Sequence, residues 1–312
     1  MTPSCLIASS GNTRMQLFVA LVAISFTCSL AAGNRSSPPR IKGLAFVRLD
    51  VSDLAASRKF YEETLQLGNH LNGCLGPGSV CFRLTSSQTI ELVQQEAPHA
   101  NSLLEEVGFW TDDLDAMRRY LASTNAEVGK IFTGYDDRKR FELRDPENHG
   151  LAFVSEPLPG TFFSWSAQVS RRMLHAGFVV KDMAAENHFY RDLLNFRLYW
   201  QGGFKDDGLD WYELQVPNGD NWIEYMLNIP ANAGHAELGV QNHFSLGVKD
   251  IHATADQLRK NGVQKFDGPE IGRDGKWSLD VYDPDGTRIE FMEFTPAQKP
   301  CCHPYTASHP KP

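Results

Sequence analysis

The chain has no run of Lys and Arg, no Cys-x-x-Cys pair, and no acidic residue before Asp50. The first absence argues against nucleic acid as a partner, because 30 basic and 38 acidic residues are mixed along the chain to a net charge of -8. The second removes the usual zinc-ribbon and dithiol redox arrangements. The third gains meaning from its neighbour, the apolar stretch Met15 to Ala32, which follows Arg14 and ends in small residues. That is the pattern of a signal peptide. A membrane span needs roughly 20 apolar residues, and Ser25, Thr27, Cys28 and Ser29 dilute the second half of this one. We therefore expect residues 1–33 to be cleaved near Ser29-Leu30-Ala31, no stable membrane span in the mature chain, and a secreted or periplasmic location. An uncleaved anchor and an organelle transit segment are the alternatives.

What remains is long enough for two domains, and its 42% hydrophobic content fills two modest cores. Ser52-Asp53-Leu54-Ala55-Ala56, followed by Phe60-Tyr61, returns 129 positions later as Lys181-Asp182-Met183-Ala184-Ala185, followed by Phe189-Tyr190. A second pair repeats within the halves: Asp112-Asp113-Leu114-Asp115-Ala116 against Lys249-Asp250-Ile251-His252-Ala253, and Asp145-Pro146 against Asp283-Pro284. Each of the four modules reads the same way. A short alternating strand ends at an Asp able to cap the next helix, the helix carries apolar residues at helical spacing, and three short strands follow between Gly, Pro and Asp turns.

Across the second half, His175, Glu224, His243 and Glu290 occupy equivalent strand positions. Each His precedes its helix-capping Asp by seven residues, and each Glu sits in an Ile-Glu-aromatic triplet. Alone, a strand histidine is more often a packed, hydrogen-bonded side chain than a ligand. Four metal-type ligands at matched positions are hard to obtain by chance, and a carboxylate amid Ile289, Phe291 and Met292 is costly to bury without a cation or hydrogen-bond partner. The first half has Phe46, Glu91, Glu106 and Ala152 at these positions. Lacking both imidazoles, it is expected to buttress the other half, close its cavity or mediate a homodimer.

The βαβββ unit, its pairing and the stretch Asp283-Pro284-Asp285-Gly286-Thr287-Arg288-Ile289-Glu290-Phe291 resemble the vicinal-oxygen-chelate superfamily of glyoxalases, extradiol dioxygenases and antibiotic-resistance proteins, over about residues 41 to 296. The resemblance implies an α+β fold of four βαβββ modules paired into two half-barrel domains. We set these at 41–156, without a metal site, and 172–296, with one, joined by a linker over 156–172 and followed by a tail at 297–312. It also implies one divalent ion (Ni, Co, Mn, Fe or Zn) on His175, Glu224, His243 and Glu290, with Glu290 or Glu224 as catalytic base. A role for Glu224 in holding water or substrate instead stays open. The implied function is glyoxalase-like lyase or isomerase chemistry on a small substrate with two vicinal oxygens. The alternatives are an extradiol ring-cleaving dioxygenase and a non-catalytic binding or resistance protein. The dioxygenase signature has Tyr where this chain has Asp280, and Tyr282 is displaced by two residues. The glyoxalase signature is altered at Ala176, Glu186 and Asn195.

Secondary expectations concern the surroundings. Cys74 and Cys81, flanking Leu75-Gly76-Pro77-Gly78, are expected to form a disulfide. Cys301-Cys302-His303 is expected to lie in an unstructured tail, a labile metal or redox site being the alternative. Tyr199, Trp200, Trp211, Tyr212, Trp222 and Tyr225 are core residues or a substrate wall. Arg273 and Lys276 either meet an anionic substrate or sit in a solvated loop. His70, His99, His149, His188, His235 and His252 are expected to be solvated.

Overall fold

The computed structural model describes residues 37–68, 70–95, 103–134, 137–155 and 168–312. The expected leader, His99 and the linker up to residue 167 lie outside these.

Module one comprises β1 (Ile41–Val51), α1 (Leu54–Lys59, continued by a π-helical turn over Phe60–Thr64), β2 (His70–Asn72), β3 (Ser79–Arg83) and β4 (Thr89–Gln94). Module two comprises β5 (Leu104–Thr111), α2 (Leu114–Ser123), β6 (Phe132–Thr133), β7 (Lys139–Arg144) and β8 (Gly150–Val154). Module three repeats the first with β9 (Met173–Val179), α3 (Met183–Asn187, continued by a π-helical turn over His188–Leu193), β10 (Arg197–Gly202), β11 (Trp211–Gln215) and β12 (Trp222–Met226). Module four has α4 (His235–Gln241) before it, then β13 (His243–Val248), α5 (Ile251–Lys260), β14 (Asp267–Ile271), β15 (Trp277–Tyr282) and β16 (Arg288–Glu293).

The capping expected from sequence is present in all four modules. Asp53, Asp113, Asp182 and Asp250 accept from backbone N–H groups of the first helical turn, removing orphan donors that would otherwise be lost to the hydrogen-bond ladder. The strands form two eight-stranded sheets, ordered β2-β3-β4-β1-β5-β8-β7-β6 and β10-β11-β12-β9-β13-β16-β15-β14. In each, the two modules meet through an antiparallel pair of first strands, while each module's last strand runs parallel to its first. The fold is α+β, with two curled half-barrel sheets.

The halves clasp each other with approximate twofold symmetry. The Tyr61 hydroxyl donates to Asp283 at 3.2 Å and the Tyr190 hydroxyl to Asp145 at 3.1 Å. Gln88 bonds both the N–H and the carbonyl of Met173, and Asn221 accepts from the Leu44 N–H. Cys74 and Cys81 are joined, with Cα atoms 5.9 Å apart.

The tail corrects the expectation of an unstructured segment. Thr306 N–H donates to the Tyr199 carbonyl, the Tyr305 hydroxyl to Asp274, and Trp200 Nε1 to the His303 carbonyl. Cys301 and Cys302 are bonded to each other. Tyr305 and Ala307 pack on Leu174, Tyr199, Trp222, Met292 and Phe294. An apolar patch of that size on an open sheet needs a cover, and a Pro-rich segment without regular structure supplies it here.

Candidate metal centre

Strand pairing brings the four sequence-selected residues of the second half together. His175 on β9 faces Ser245 on β13, His243 faces Gly177 across the same pair, Trp222 pairs with His175, and Glu290 pairs with Ser245. One face of the sheet therefore carries all four. His175 Nε2 and His243 Nε2 are 3.1 Å apart. Glu224 Oε2 lies 3.6 Å from the former and 3.3 Å from the latter, and Glu290 Oε2 lies 3.3 and 4.0 Å from them. His175, Glu224 and His243 offer atoms all within 4.8 Å of one another, so Glu224, whose role the sequence left open, lies in the tightest group.

Whether these residues suit a cation can be read from their protons. His243 Nδ1 sits 3.0 Å from the Gln241 carbonyl, which can only accept, so Nδ1 carries the hydrogen and Nε2 presents a lone pair. Burial holds both imidazoles well below their ordinary pKa; for His175 the nearby Glu224 pulls the other way, and for His243 the next contribution, from Arg288, also lowers it. The His243 Nε2 lone pair, the His175 Nε2 facing it and two carboxylates form a nitrogen–oxygen donor set that a divalent ion satisfies. The donor set fits. Burial, with Asp280 adding to it, raises Glu290 well above the usual carboxylate range, against the pull of Arg288. Gly177 is required here for close approach, because a Cβ on it would meet the His243 ring at 2.2 Å.

Around this cluster lie groups the sequence reading missed. Glu213 is buried directly opposite Glu224, and alternation along β11 already puts Trp211, Glu213 and Gln215 on one face. Burial raises Glu213 well above its ordinary pKa, and Lys276 opposes that shift. Lys276 itself is fully buried, its ammonium 4.3, 5.1 and 5.2 Å from the ring centres of Trp222, Tyr199 and Tyr305, and 3.8 Å from Asp274. The solvated-loop expectation for Lys276 is thus overturned, because the aromatic cage and Asp274 stand in for water. Arg273 instead turns to Asp206 and the Gly203 carbonyl. Of the aromatics, Trp222 lies against His175 at 4.9 Å and Tyr199 against Trp222 at 5.0 Å, while Tyr212 and Tyr225 stack at 5.7 Å in the core beside Tyr190. Trp211 packs on Phe204, and Trp200 is held by the tail.

The first half carries a different solution at the same place. Glu91, at the position of Glu224, is fully buried and takes both oxygens to Arg140 at 3.3 Å, and Arg48 at 3.2 Å. Arg48 also pairs with Glu106, at the position of His243, and the Arg140 guanidinium lies 4.9 Å from the Phe46 ring centre. Burial lifts Glu106 to about 8 in spite of Arg48. Guanidinium groups thus provide the positive charge at the place where the other half converges imidazoles and carboxylates.

A family model for the Glyoxalase/Bleomycin resistance protein/Dioxygenase superfamily matches residues 172–291. Lactoylglutathione lyase of Haemophilus influenzae is 30% identical over 125 residues, covering 39% of this chain and 92% of that one. The chain belongs to this superfamily. A probable chloroplastic lactoylglutathione lyase of Arabidopsis thaliana is 26% identical over 145 residues; the match covers 45% of this chain and 40% of that protein's length. Among solved structures of the superfamily's fold, homoprotocatechuate 2,3-dioxygenase of Arthrobacter globiformis matches with a TM-score of 0.64 at 18% identity, over 83% of this chain and 81% of that one. The Brevibacterium fuscum enzyme in complex with 3,4-dihydroxyphenylacetate matches with a TM-score of 0.62 at 18% identity, over 82% and 81%. At that identity the likeness is one of fold.

Proposed function

We propose that the second half-barrel is the active site of an exported, metal-dependent lyase or isomerase of glyoxalase type, acting on a small substrate that presents two vicinal oxygens. The observation that carries this reading is the facing of His175 Nε2 and His243 Nε2 at 3.1 Å with two carboxylates beside them. A divalent ion bound there supplies Lewis acidity to the substrate oxygens.

The chain's own residues do the rest. His243, with its hydrogen on Nδ1, acts as a ligand through Nε2, and His175 faces it as the second imidazole ligand. Glu290 and Glu224 reach the open side of the cluster, with side chains 13% and 10% exposed. One of them takes the proton from the carbon next to the substrate carbonyl and returns it to the neighbouring carbon, so that the net change is a shifted hydrogen. Glu290 is the better candidate because its carboxylate is held less closely by His243, 4.0 Å from Nε2 against 3.3 Å for Glu224. Trp222 and Tyr199 form an apolar wall beside His175, and the tail excludes water behind them.

The alternative within the family is ring cleavage with oxygen. Tyr282, the nearest residue to the missing signature Tyr, donates its hydroxyl to Asp267 at 2.7 Å and is thereby engaged elsewhere. The test is to incubate metal-loaded protein with α-hydroxycarbonyl or hemithioacetal compounds in deuterated water without oxygen, and separately with catechols under air. Deuterium incorporation is expected, with Glu290→Gln slower by roughly 10²–10⁴-fold. Oxygen-dependent ring cleavage would defeat the proposal in favour of the dioxygenase.

A further inference from the structure

The two interdomain clasps differ at two matched positions. In both, an Asp-Pro turn of one half meets the first helix of the other, and the turn Asp accepts the same bonds. Asp283 takes Asp285 N–H, Thr287 N–H and the Tyr61 hydroxyl, whereas Asp145 takes Glu147 N–H, His149 N–H and the Tyr190 hydroxyl. On the first seam the remaining neighbours are Ser57 and Thr287. At the matching positions of the second stand Glu186 and His149. A titratable carboxyl and an imidazole have thus been added around one of two otherwise equivalent aspartates.

These additions converge on that one buried aspartate. Glu186 is 0% exposed, and its Oε2 is buried with no hydrogen-bond partner, while Oε1 accepts from Glu147 N–H at 3.0 Å. His149 Nε2 lies 3.1 Å from the Val179 carbonyl, which can only accept, so Nε2 carries a hydrogen. His149 Nδ1 lies 2.8 Å from Asp145 Oδ2, so the ring faces an acceptor on each side, and an ion at Nδ1 would take the place of the hydrogen shared with Asp145. The hydrogen on Nε2, given to a backbone carbonyl, is the usual support of a metal-ligating histidine. Atoms of Asp145, His149 and Glu186 lie within 4.8 Å of one another. A cleft of about 560 Å³, lined in part by His149, Glu147, Lys181 and Asn242, opens beside them and gives an ion a way in.

We propose that Asp145, His149 and Glu186 form a second divalent-cation site, of the nitrogen–oxygen type that zinc fills, which fastens the two halves together. The ligand set spans the seam: Asp145 and His149 come from the first half and Glu186 from the second. Glu186→Gln keeps the shape of the side chain and an oxygen to accept from Glu147 N–H, and is expected to fold.

The test uses the full chain in its oxidised state, so that Cys301 and Cys302 cannot ligate, stripped with chelator and titrated with zinc alone. Wild-type protein is expected to take up two ions per chain, Glu186→Gln and His149→Asn one each, His243→Ala one, and Glu186→Gln with His243→Ala none. In the His243→Ala background, zinc should raise the thermal midpoint, and Glu186→Gln should abolish that rise. Unchanged uptake in both Glu186→Gln and His149→Asn overturns the site, as does a single wild-type ion that is lost with His243→Ala. A single ion lost with Glu186→Gln but kept in His243→Ala supports the seam site and instead refutes metal binding in the half-barrel. Should Glu186→Gln fail to fold, His149→Asn, on a turn at the surface, carries the same comparison.

Discussion

The guanidinium cluster of the first half-barrel offers the sharpest energetic test of the fold, through Arg140→Met. Arg140 is 1% exposed and bonds both oxygens of Glu91, which is itself 0% exposed. Removing one partner of a buried ion pair costs about 3–5 kcal/mol, because the remaining charge stays out of water without its counter-charge. Arg48 still touches Glu91 here, at 3.2 Å, which places the expected loss at the lower end, about 3 kcal/mol. For a chain of this size that is a fall of roughly 6–12 °C in the thermal midpoint. Removing both partners, as Glu91→Leu with Arg140→Met, replaces the pair with apolar groups and should recover much of the loss, so the double variant is expected to be more stable than the sum of the single losses implies. Urea unfolding of the wild type, both single variants and the double gives the coupling, and metal content should be unchanged throughout. An Arg140→Met protein as stable as wild type, or a double variant whose losses simply add, would refute the assignment of these arginines as the internal counter-charge.

The metal-free protein should lose stability as pH falls through about 6.5, because the unfolded chain then protonates two imidazoles that burial keeps neutral in the folded one. The slope is up to about 1.4 kcal/mol per histidine per pH unit, and urea midpoints between pH 7.5 and 5.5 should flatten in a His175→Gln, His243→Gln variant. Gly177→Ala should push the His243 ring aside and weaken metal binding roughly 10–100-fold, judged by competition with a chelator, while the circular dichroism spectrum stays that of the wild type. Deleting residues 297–312 should leave the half-barrel ion in place but uncover Trp222 and Lys276, shifting tryptophan emission to the red; an unshifted spectrum would contradict the packing described above.

Much of this was legible in the chain because it is written in short periods. The 129-residue offset, the Asp caps and the matched His and Glu positions depend on local pattern, and the strand register then has little freedom, since a one-residue slip would turn every one of these side chains to the opposite face. Cys74 and Cys81 were legible for the same reason, being separated only by a turn. The remainder depends on surfaces that meet only after folding. Lys276 follows a glycine in what reads as an exposed loop, and nothing local announces that Tyr199, Trp222 and Tyr305 will close around it. His149 sits beside Asn148 after a turn, where solvent is the natural expectation, and Glu186, which comes within 4.8 Å of it, is on the other half of the chain. The tail lacks periodicity, so its place against Tyr199 and Trp222 is set entirely by the patch it covers.

The arginines of the first half-barrel also bear on the order of assembly. A half whose positive charge is attached to its own backbone can close as soon as it has been synthesised, without waiting for an ion to arrive. The second half follows it in the chain, and domains generally fold from the N-terminus as they emerge. By then Gln88, Tyr61 and the Leu44 backbone already present the surface to which Met173, Asp283 and Asn221 attach. The half without imidazoles thereby offers a surface on which the other can bring His175, His243, Glu224 and Glu290 together.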